Sequence, residues 1–355
     1  MKRCILAGMV IALLASLSFS AFLYPDIRPG YGVTGQGWIS DYFPPLRGTN
    51  MDTPLFFMDS GKPGATFLLI GGTHAREIAG TTAATIFVEN VQVTQGRVIV
   101  LPFANRSALS IEDELGSSPH FLLVEGKSGP RFLVYGDRRT DIRDQGIADP
   151  EVFVHDPSGM EIADGAESRN LNRNYPGKPD GNPTQQLAFA ILEMIRSEDV
   201  DFCLDMHESG TPDRVELDSG EVYGGSRLAY MLVCHPQGLE IGAMALFEME
   251  DLGISMQLEE SSTEFRGLSH REIGDHSDCL SFLSESPNPG QDRWRKDPDV
   301  LTDPVYSLAH RVGMHYEVIR ALFTNYELWM GNPVCVEGLP RESELVAQGI
   351  GAFLN

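Results

Sequence analysis

Basic residues are scarce: 27 lysines and arginines face 50 aspartates and glutamates, a formal net charge of -23 over 355 residues. A surface of that sign repels nucleic acid and anionic membranes, yet a few arginines in a cleft can still reverse the local field for an anionic substrate. Cysteine is sparse too, five in all. Cys4 precedes an apolar stretch and does not suit a lipid attachment site. Cys203, Cys234, Cys279 and Cys335 could form up to two disulfides in an oxidising compartment, with the pairing open, although Cys203 sits in an apolar run and reads equally as a small buried residue. No Gly-x-Ser-x-Gly elbow occurs, which disfavours a serine hydrolase. Internal repeats, low-complexity tracts and interdomain linkers are absent. Beyond Leu23 no apolar stretch is long enough to span a bilayer.

What is present begins with Met1-Lys2-Arg3, an apolar run from Ile5 to Leu17, and the small residues Ser18-Phe19-Ser20-Ala21. This is the layout of a secretory signal peptide cut after Ser20, residues 1–20, which predicts an exported protein, periplasmic or extracellular, without stable membrane association. The alternative is an uncleaved membrane anchor, since the apolar character continues to Leu23. Residues 21–355 can bury a large core and are read as one enzyme-sized domain.

The chain is organised around Thr66 to Glu77. Thr66 to Ile70 is a short apolar run that breaks at Gly71-Gly72 and delivers His74 and Glu77, and Glu77 to Val88 suits a helix despite three threonines and a glycine. Two further runs behave alike: Asp201 to Met206 delivers His207, and Leu280 to Leu283 delivers Ser284-Glu285. Three apolar strands that each end on a chemically capable side chain suggest one crevice at the carboxyl ends of a sheet. Other expected elements are a strand over Arg97 to Pro102, a strand-like patch over Arg131 to Tyr135, an amphipathic helix over Gln185 to Arg196 and a closing helix near 305–329. Asp26 to Pro63 reads as an irregular lead-in, and 107–166 as loop-rich, which in a compact domain points to function. The implied fold class is α/β, with a central mixed, largely parallel sheet and helices on both faces.

Catalytic zinc sites take three protein ligands from His and Asp/Glu and keep a fourth position for water. His74, Glu77 and His207 supply such a set, two close together and the third 133 residues on. Glu285, from the next strand, is available as the carboxylate that works on that water.

These residues resemble the zinc carboxypeptidase superfamily, and within it the succinylglutamate desuccinylase and aspartoacylase branch. Gly71-Gly72-Thr73-His74-Ala75-Arg76-Glu77 resembles the first zinc motif, and Leu204-Asp205-Met206-His207 the strand of the third ligand. Asn170-Leu171-Asn172-Arg173-Asn174-Tyr175-Pro176-Gly177 is similar to the Asp-Leu-Asn-Arg motif, and Glu285-Ser286-Pro287-Asn288-Pro289-Gly290 to the catalytic glutamate segment. The resemblance implies one zinc ion on His74, Glu77 and His207, with Glu285 as general base and proton donor. It further implies that Asn172 and Arg173 grip a substrate carboxylate, and that Arg138 or Arg139 stabilises an oxyanion, Arg138 ranked slightly first. Arg76 would add positive potential. Asn170 stands where the family usually has an aspartate behind a zinc-bound histidine, so weaker metal binding is expected. No tyrosine lies between Met231 and Ser284, which leaves Tyr223 or Tyr230 to cover the substrate.

The implied activity is zinc-dependent hydrolysis of an amide bond in a small-molecule or peptide substrate that carries a free carboxylate. The alternatives are an exported carboxypeptidase acting on peptides or cell-wall peptides and, third, a binding protein that has lost its chemistry. His120, His155, His310 and His315 are expected on the surface or in helix packing. Ser269 to Asp278, with His270 and His276, is expected as a polar loop near the site rather than a second metal site. The six carboxylates of Glu248 to Glu264 are expected to form a solvated face.

Overall fold

The apolar runs become neighbours in one eight-stranded sheet. In the computed structural model, which describes residues 26–110, 121–216 and 218–355, its strands are β1 (Gly35–Trp38), β2 (Pro54–Asp59), β3 (Thr66–Ile70), β4 (Arg97–Leu101), β5 (Phe202–Ser209), β6 (Met231–Cys234), β7 (Gln257–Glu260) and β8 (Leu280–Pro287). The expected signal segment 1–20 and His120 lie outside the described residues. The order across the sheet is β1-β2-β4-β3-β5-β8-β6-β7. The central four, β4, β3, β5 and β8, run parallel, while β2 and β6 flank them antiparallel. The sheet is therefore mixed with a parallel centre, as expected.

Central strands buried on both faces read as continuous apolar runs, because successive side chains point to opposite sides and both sides are covered. Phe67, Leu69, Val98, Val100, Phe202 and Leu204 enter one core, with helices α1 (Ile78–Asn90), α3 (Leu239–Asp251) and α5 (Leu308–Met330). Leu68, Ile70, Ile99, Leu101 and Cys203 enter the other, with α2 (Pro183–Ser197) and Ile273 of α4 (Ser269–His276). The helices thus cover both faces. A capping box between Asn182 and Gln185 and a proline in the first turn fix the start of α2. The closing helix α5 opens at Ser307, whose side chain accepts from His310 N, and stops at Gly331 in the left-handed conformation.

Four expectations need correction. The segment 26–63 is not wholly irregular, since β1 and β2 extend the sheet. β1 (Gly-Gln-Gly-Trp) has weak strand propensity and is held by its ladder to β2. The runs ending at His207 and Glu285 do not stop there: β5 and β8 stay paired to Ser209 and Pro287, so both residues lie inside strands. Ser269 to His276 is a largely buried helix rather than a polar loop. Finally, β6, β7 and α3 were not anticipated; β7 is exposed along its whole length, so its carboxylates face solvent as expected. Among the described residues no helix is long and apolar enough to cross a membrane.

Candidate metal centre and its arginine wall

The site is built where β3 gives way to α1. Gly72 adopts a positive φ of 68°, which turns the chain out of the strand and is open to glycine without the penalty a side chain brings. Glu77 stands at the N-cap position of α1, yet its side chain does not cap the helix and turns to the histidines instead. Gly80, the residue that weakens the helix on propensity, has a packing reason: a Cβ there would stand 2.5 Å from the backbone oxygen of Met206. α1 therefore lies directly on β5, one residue before His207.

His74, Glu77 and His207 are 5%, 5% and 1% exposed, and their candidate ligand atoms all lie within 4.8 Å of one another. The carboxylate of Glu77 sits between the two rings, Oε1 at 2.7 Å from His74 Nδ1 and Oε2 at 2.8 Å from His207 Nδ1. Each outer ring nitrogen meets an oxygen. His74 Nε2 is 2.9 Å from Asn170 Oδ1, and His207 Nε2 stands 3.0 Å from Asp205 Oδ2 in an ion pair without hydrogen-bond alignment. Asp205 is itself fixed by the hydroxyls of Thr73 (2.8 Å) and Ser269 (2.7 Å).

This donor set fits a divalent cation. Two imidazole Nδ1 atoms and one carboxylate converge, and oxygens outside the cluster orient the rings in the way metal-ligating histidines are supported. The three groups act strongly on one another's charge. Burial lowers His74 to about 4 against the pull of Glu77. Burial also acts to lower His207, but Asp205 and Glu77 on its two nitrogens outweigh it and raise the ring well above its usual value. Glu77, which burial would raise, is held well below the carboxylate range by the two histidines.

Glu285 stands opposite His207 in the ladder between β5 and β8. Burial, then the charge of Glu77, push its carboxyl up to about 8, with His207 opposing. Its Oε2 is buried with no hydrogen-bond partner among the described residues. Glu208, next to His207, is occupied instead with structure: it pairs with Arg311 and accepts from Ala79 N, Ser286 Oγ and Asn288 Nδ2.

Three of the four arginines named by the sequence meet at one carboxylate. Arg138, Arg139 and Arg173 all contact Glu167, at 3.3, 3.0 and 3.2 Å. The charge of Arg138 acts on His74 and on Arg173, whereas Arg139 also pairs with Asp164 at 2.6 Å, away from the cluster. Burial, then Arg138, lower Arg173 to about 10. Its guanidinium lies 4.9 Å over the ring of Phe265, and its Nη1 donates to Asn172 O. Asn172 Oδ1 accepts from Ser269 N at 2.7 Å. Arg76 Nε is buried without a partner among the described residues.

Two supporting residues escaped sequence reasoning. Asp205 carried a readable signal, since it is two residues from His207 on one strand and so shares its face. Glu167 carried none, because only the tertiary structure brings it to the arginines. The remaining described histidines are engaged elsewhere: His155 with Ser158 and Tyr175 O, His310 with Tyr230 and Glu342, His315 with Ser284, His270 with Ser261, His235 with Asp275, and His276 with Glu272. His315 packs inside the closing helix, as expected, whereas His155 is buried on a short strand rather than superficial. Among the described residues no second metal cluster accompanies His74, Glu77 and His207. Tyr230 is committed to His310, and Tyr223 lies on an exposed hairpin. All four described cysteines are free thiols.

Fold and site together define an α/β protein with a candidate metal centre at the carboxyl ends of its parallel strands. No family model matches the chain, and no curated protein matches it. Solved structures do. The cell shape determinant protein Csd4 of Helicobacter pylori is 14% identical with a TM-score of 0.48, over 82% of this chain and 59% of that one. A succinylglutamate desuccinylase from a Silicibacter species is 16% identical (TM-score 0.42, 79% and 61%), and a succinylglutamate desuccinylase/aspartoacylase from Rhodobacter sphaeroides 19% identical (TM-score 0.42, 79% and 60%). These likenesses concern the fold, and the chain spans about three fifths of the length of each.

Proposed function

We propose that residues 21–355 form a single zinc-dependent hydrolase domain that cleaves an amide bond in a substrate bearing a free carboxylate, an N-acyl amino acid being the first candidate, and that the protein is exported. The observation that carries this reading is the buried His74–Glu77–His207 cluster with the unpartnered Glu285 Oε2 beside it. One zinc ion on His74 Nδ1, His207 Nδ1 and Glu77 would supply Lewis acidity toward the scissile carbonyl and a water. Glu285 takes the proton of the attacking water and returns one to the leaving amine, a role that suits a carboxyl whose ordinary acidity is already weakened. Arg138, whose charge reaches His74, faces the developing oxyanion. Arg173, steadied by Phe265 and with Asn172 beside it, holds the substrate carboxylate.

The test is mass spectrometry of products from zinc-loaded protein offered N-acyl amino acids and short peptides with free C-termini, with Glu285→Gln as the blank. Acyl release from amino acids supports the deacylase reading, whereas loss of a C-terminal residue from peptides replaces it with a carboxypeptidase. No product from either class, from a protein that has bound zinc, rejects the catalytic reading and favours a binding protein.

A further inference from the structure

Glu167 is the one carboxylate toward which both halves of the site turn. Its Oε2 accepts from Asn170 Nδ2 at 2.8 Å and lies within 3.3 Å of both Arg138 Nη2 and Arg173 Nε, while its Oε1 accepts from Arg139. Asn170 is buried and engaged at both ends of its amide: its Nδ2 goes to Glu167, and its Oδ1 faces His74 Nε2 and accepts from Asn172 N at 3.0 Å. The amide can be read in one orientation only, because Glu167 requires a donor and Asn172 N requires an acceptor. A continuous path therefore runs from the ring of His74 through Asn170 to Glu167 and on to the arginines. Arg138 and Arg173 have no other carboxylate partner among the described ion pairs, so Glu167 fixes their placement while leaving the wall with an excess of positive charge.

We propose that Glu167 is a positioning residue that serves both functions: through the Asn170 amide it orients His74 toward the metal, and directly it gathers Arg138 and Arg173 into the anion-binding wall. This rests on the zinc hydrolase reading. It also explains why an asparagine works behind His74. The negative charge that Asn170 lacks is provided one residue further out, and an aspartate in its place would set two carboxylates against each other.

The test compares wild type, Glu167→Gln, Asn170→Asp and the swapped pair Glu167→Gln/Asn170→Asp in the full mature chain, each checked for folding by circular dichroism. Zinc affinity is read by chelator competition, and succinate binding to the metal-free protein by calorimetry. In the swapped pair the amide introduced at position 167 can donate to the carboxylate introduced at position 170, so the path to His74 is rebuilt with its polarity shifted. Each single variant is expected to lose about tenfold in zinc affinity, the lower end of what losing an outer partner of a metal-ligating histidine costs, so Asn170→Asp weakens binding here, the reverse of what the family's usual aspartate implies. The swapped pair is expected to recover most of that loss. Succinate binding should fall in both variants that lack the Glu167 carboxylate, including the swapped pair. A swapped pair no better than the worse single variant, or a wild type that takes no zinc, overturns the link to His74. Succinate binding unchanged by Glu167→Gln overturns the gathering of the arginines. Both readouts are free of turnover, so they decide the positioning role whether or not the wild type hydrolyses any substrate, and absence of hydrolysis counts against the proposed reaction alone. Should Glu167→Gln not fold, Asn170→Asp and the swapped pair still provide the comparison.

Discussion

His207 and Glu285 face each other across the parallel ladder of β5 and β8, at the same register position. One residue offers a ring nitrogen to the candidate metal cluster, and the other brings a carboxyl that burial has pushed up to about 8. Adjacent strands at a fixed spacing give the proposed ligand and the proposed base a rigid separation that a loop would not. Glu285→Gln keeps the shape and removes the proton acceptor. Its turnover is expected to fall about 10²- to 10⁴-fold, the usual contribution of a positioned acid or base, while zinc affinity and melting temperature stay close to wild type. Steady-state kinetics beside chelator competition checks this; a variant that retains full turnover removes Glu285 from the mechanism.

Asp205 is expected to matter through the metal rather than the substrate. Its Oδ2 faces His207 Nε2, and Thr73 and Ser269 hold it in place. Asp205→Asn should lower zinc affinity about 10- to 100-fold and leave KM for a zinc-saturated enzyme nearly unchanged. A KM effect without an affinity effect would contradict the assignment.

The close approach of α1 to β5 makes Gly80→Ala a stringent packing test. The added Cβ would meet the Met206 backbone oxygen at 2.5 Å, and backbone cannot swing away as a flexible side chain can. The expected cost is about 1–3 kcal/mol, as for other overpacked sites. Thermal melting measures it, and an unchanged melting temperature would mean that the helix can slide on the strand.

The carboxyl of Glu167 is lowered from 4.5 to about 2: burial alone would raise it, but Arg138 and Arg173 outweigh that effect. A group whose folded pKa is depressed stabilises the fold above its unfolded pKa and loses that contribution as pH falls toward the folded value. The difference in melting temperature between wild type and Glu167→Gln should therefore be full above pH 4.5 and shrink between pH 4.5 and 2. A difference that stays constant over that interval would show that Glu167 is not ionised against the arginines.

Much of the site was legible because it is written in local sequence. Gly71-Gly72 ends a strand at His74, and the positive φ of Gly72 shows why that break is placed there. His74 and Glu77 are three residues apart across the turn into α1, so one short stretch supplies two ligand groups. Strands β5 and β8 are visible as apolar runs, but their polar ends hide how far they continue: His207 and Glu208 are buried among partners supplied by other strands and helices, and Glu285 stays in the ladder opposite His207. β1 and β7 were missed because their pairing comes from the neighbouring strand rather than from an apolar run of their own. The helix Ser269–His276 looks like a loop in sequence for a related reason: its polar side chains Ser269, His270 and Glu272 are satisfied by Asp205, Ser261 and Arg266 outside it, and His276 by Glu272 one turn back, contacts that exist only in the folded chain.

The sequence by itself determined the residue types available for chemistry, the central strands that carry them and the α/β class, because apolar periodicity and glycine punctuation are local properties. The oxygens behind the histidines are partly legible, Asn170 by its place in the motif and Asp205 by its strand spacing, whereas only the tertiary structure decided where the arginines point and which carboxylate meets them. Asp205 reaches His207 within its own strand, but Asn170 reaches His74 across 96 positions, and Arg138 meets Glu167 across 29. Such contacts depend on how the strands stack and where the loops return. Neither is encoded at any one position: Arg173 is near Glu167 along the chain, but Arg138 and Arg139 reach it across 29 and 28 positions.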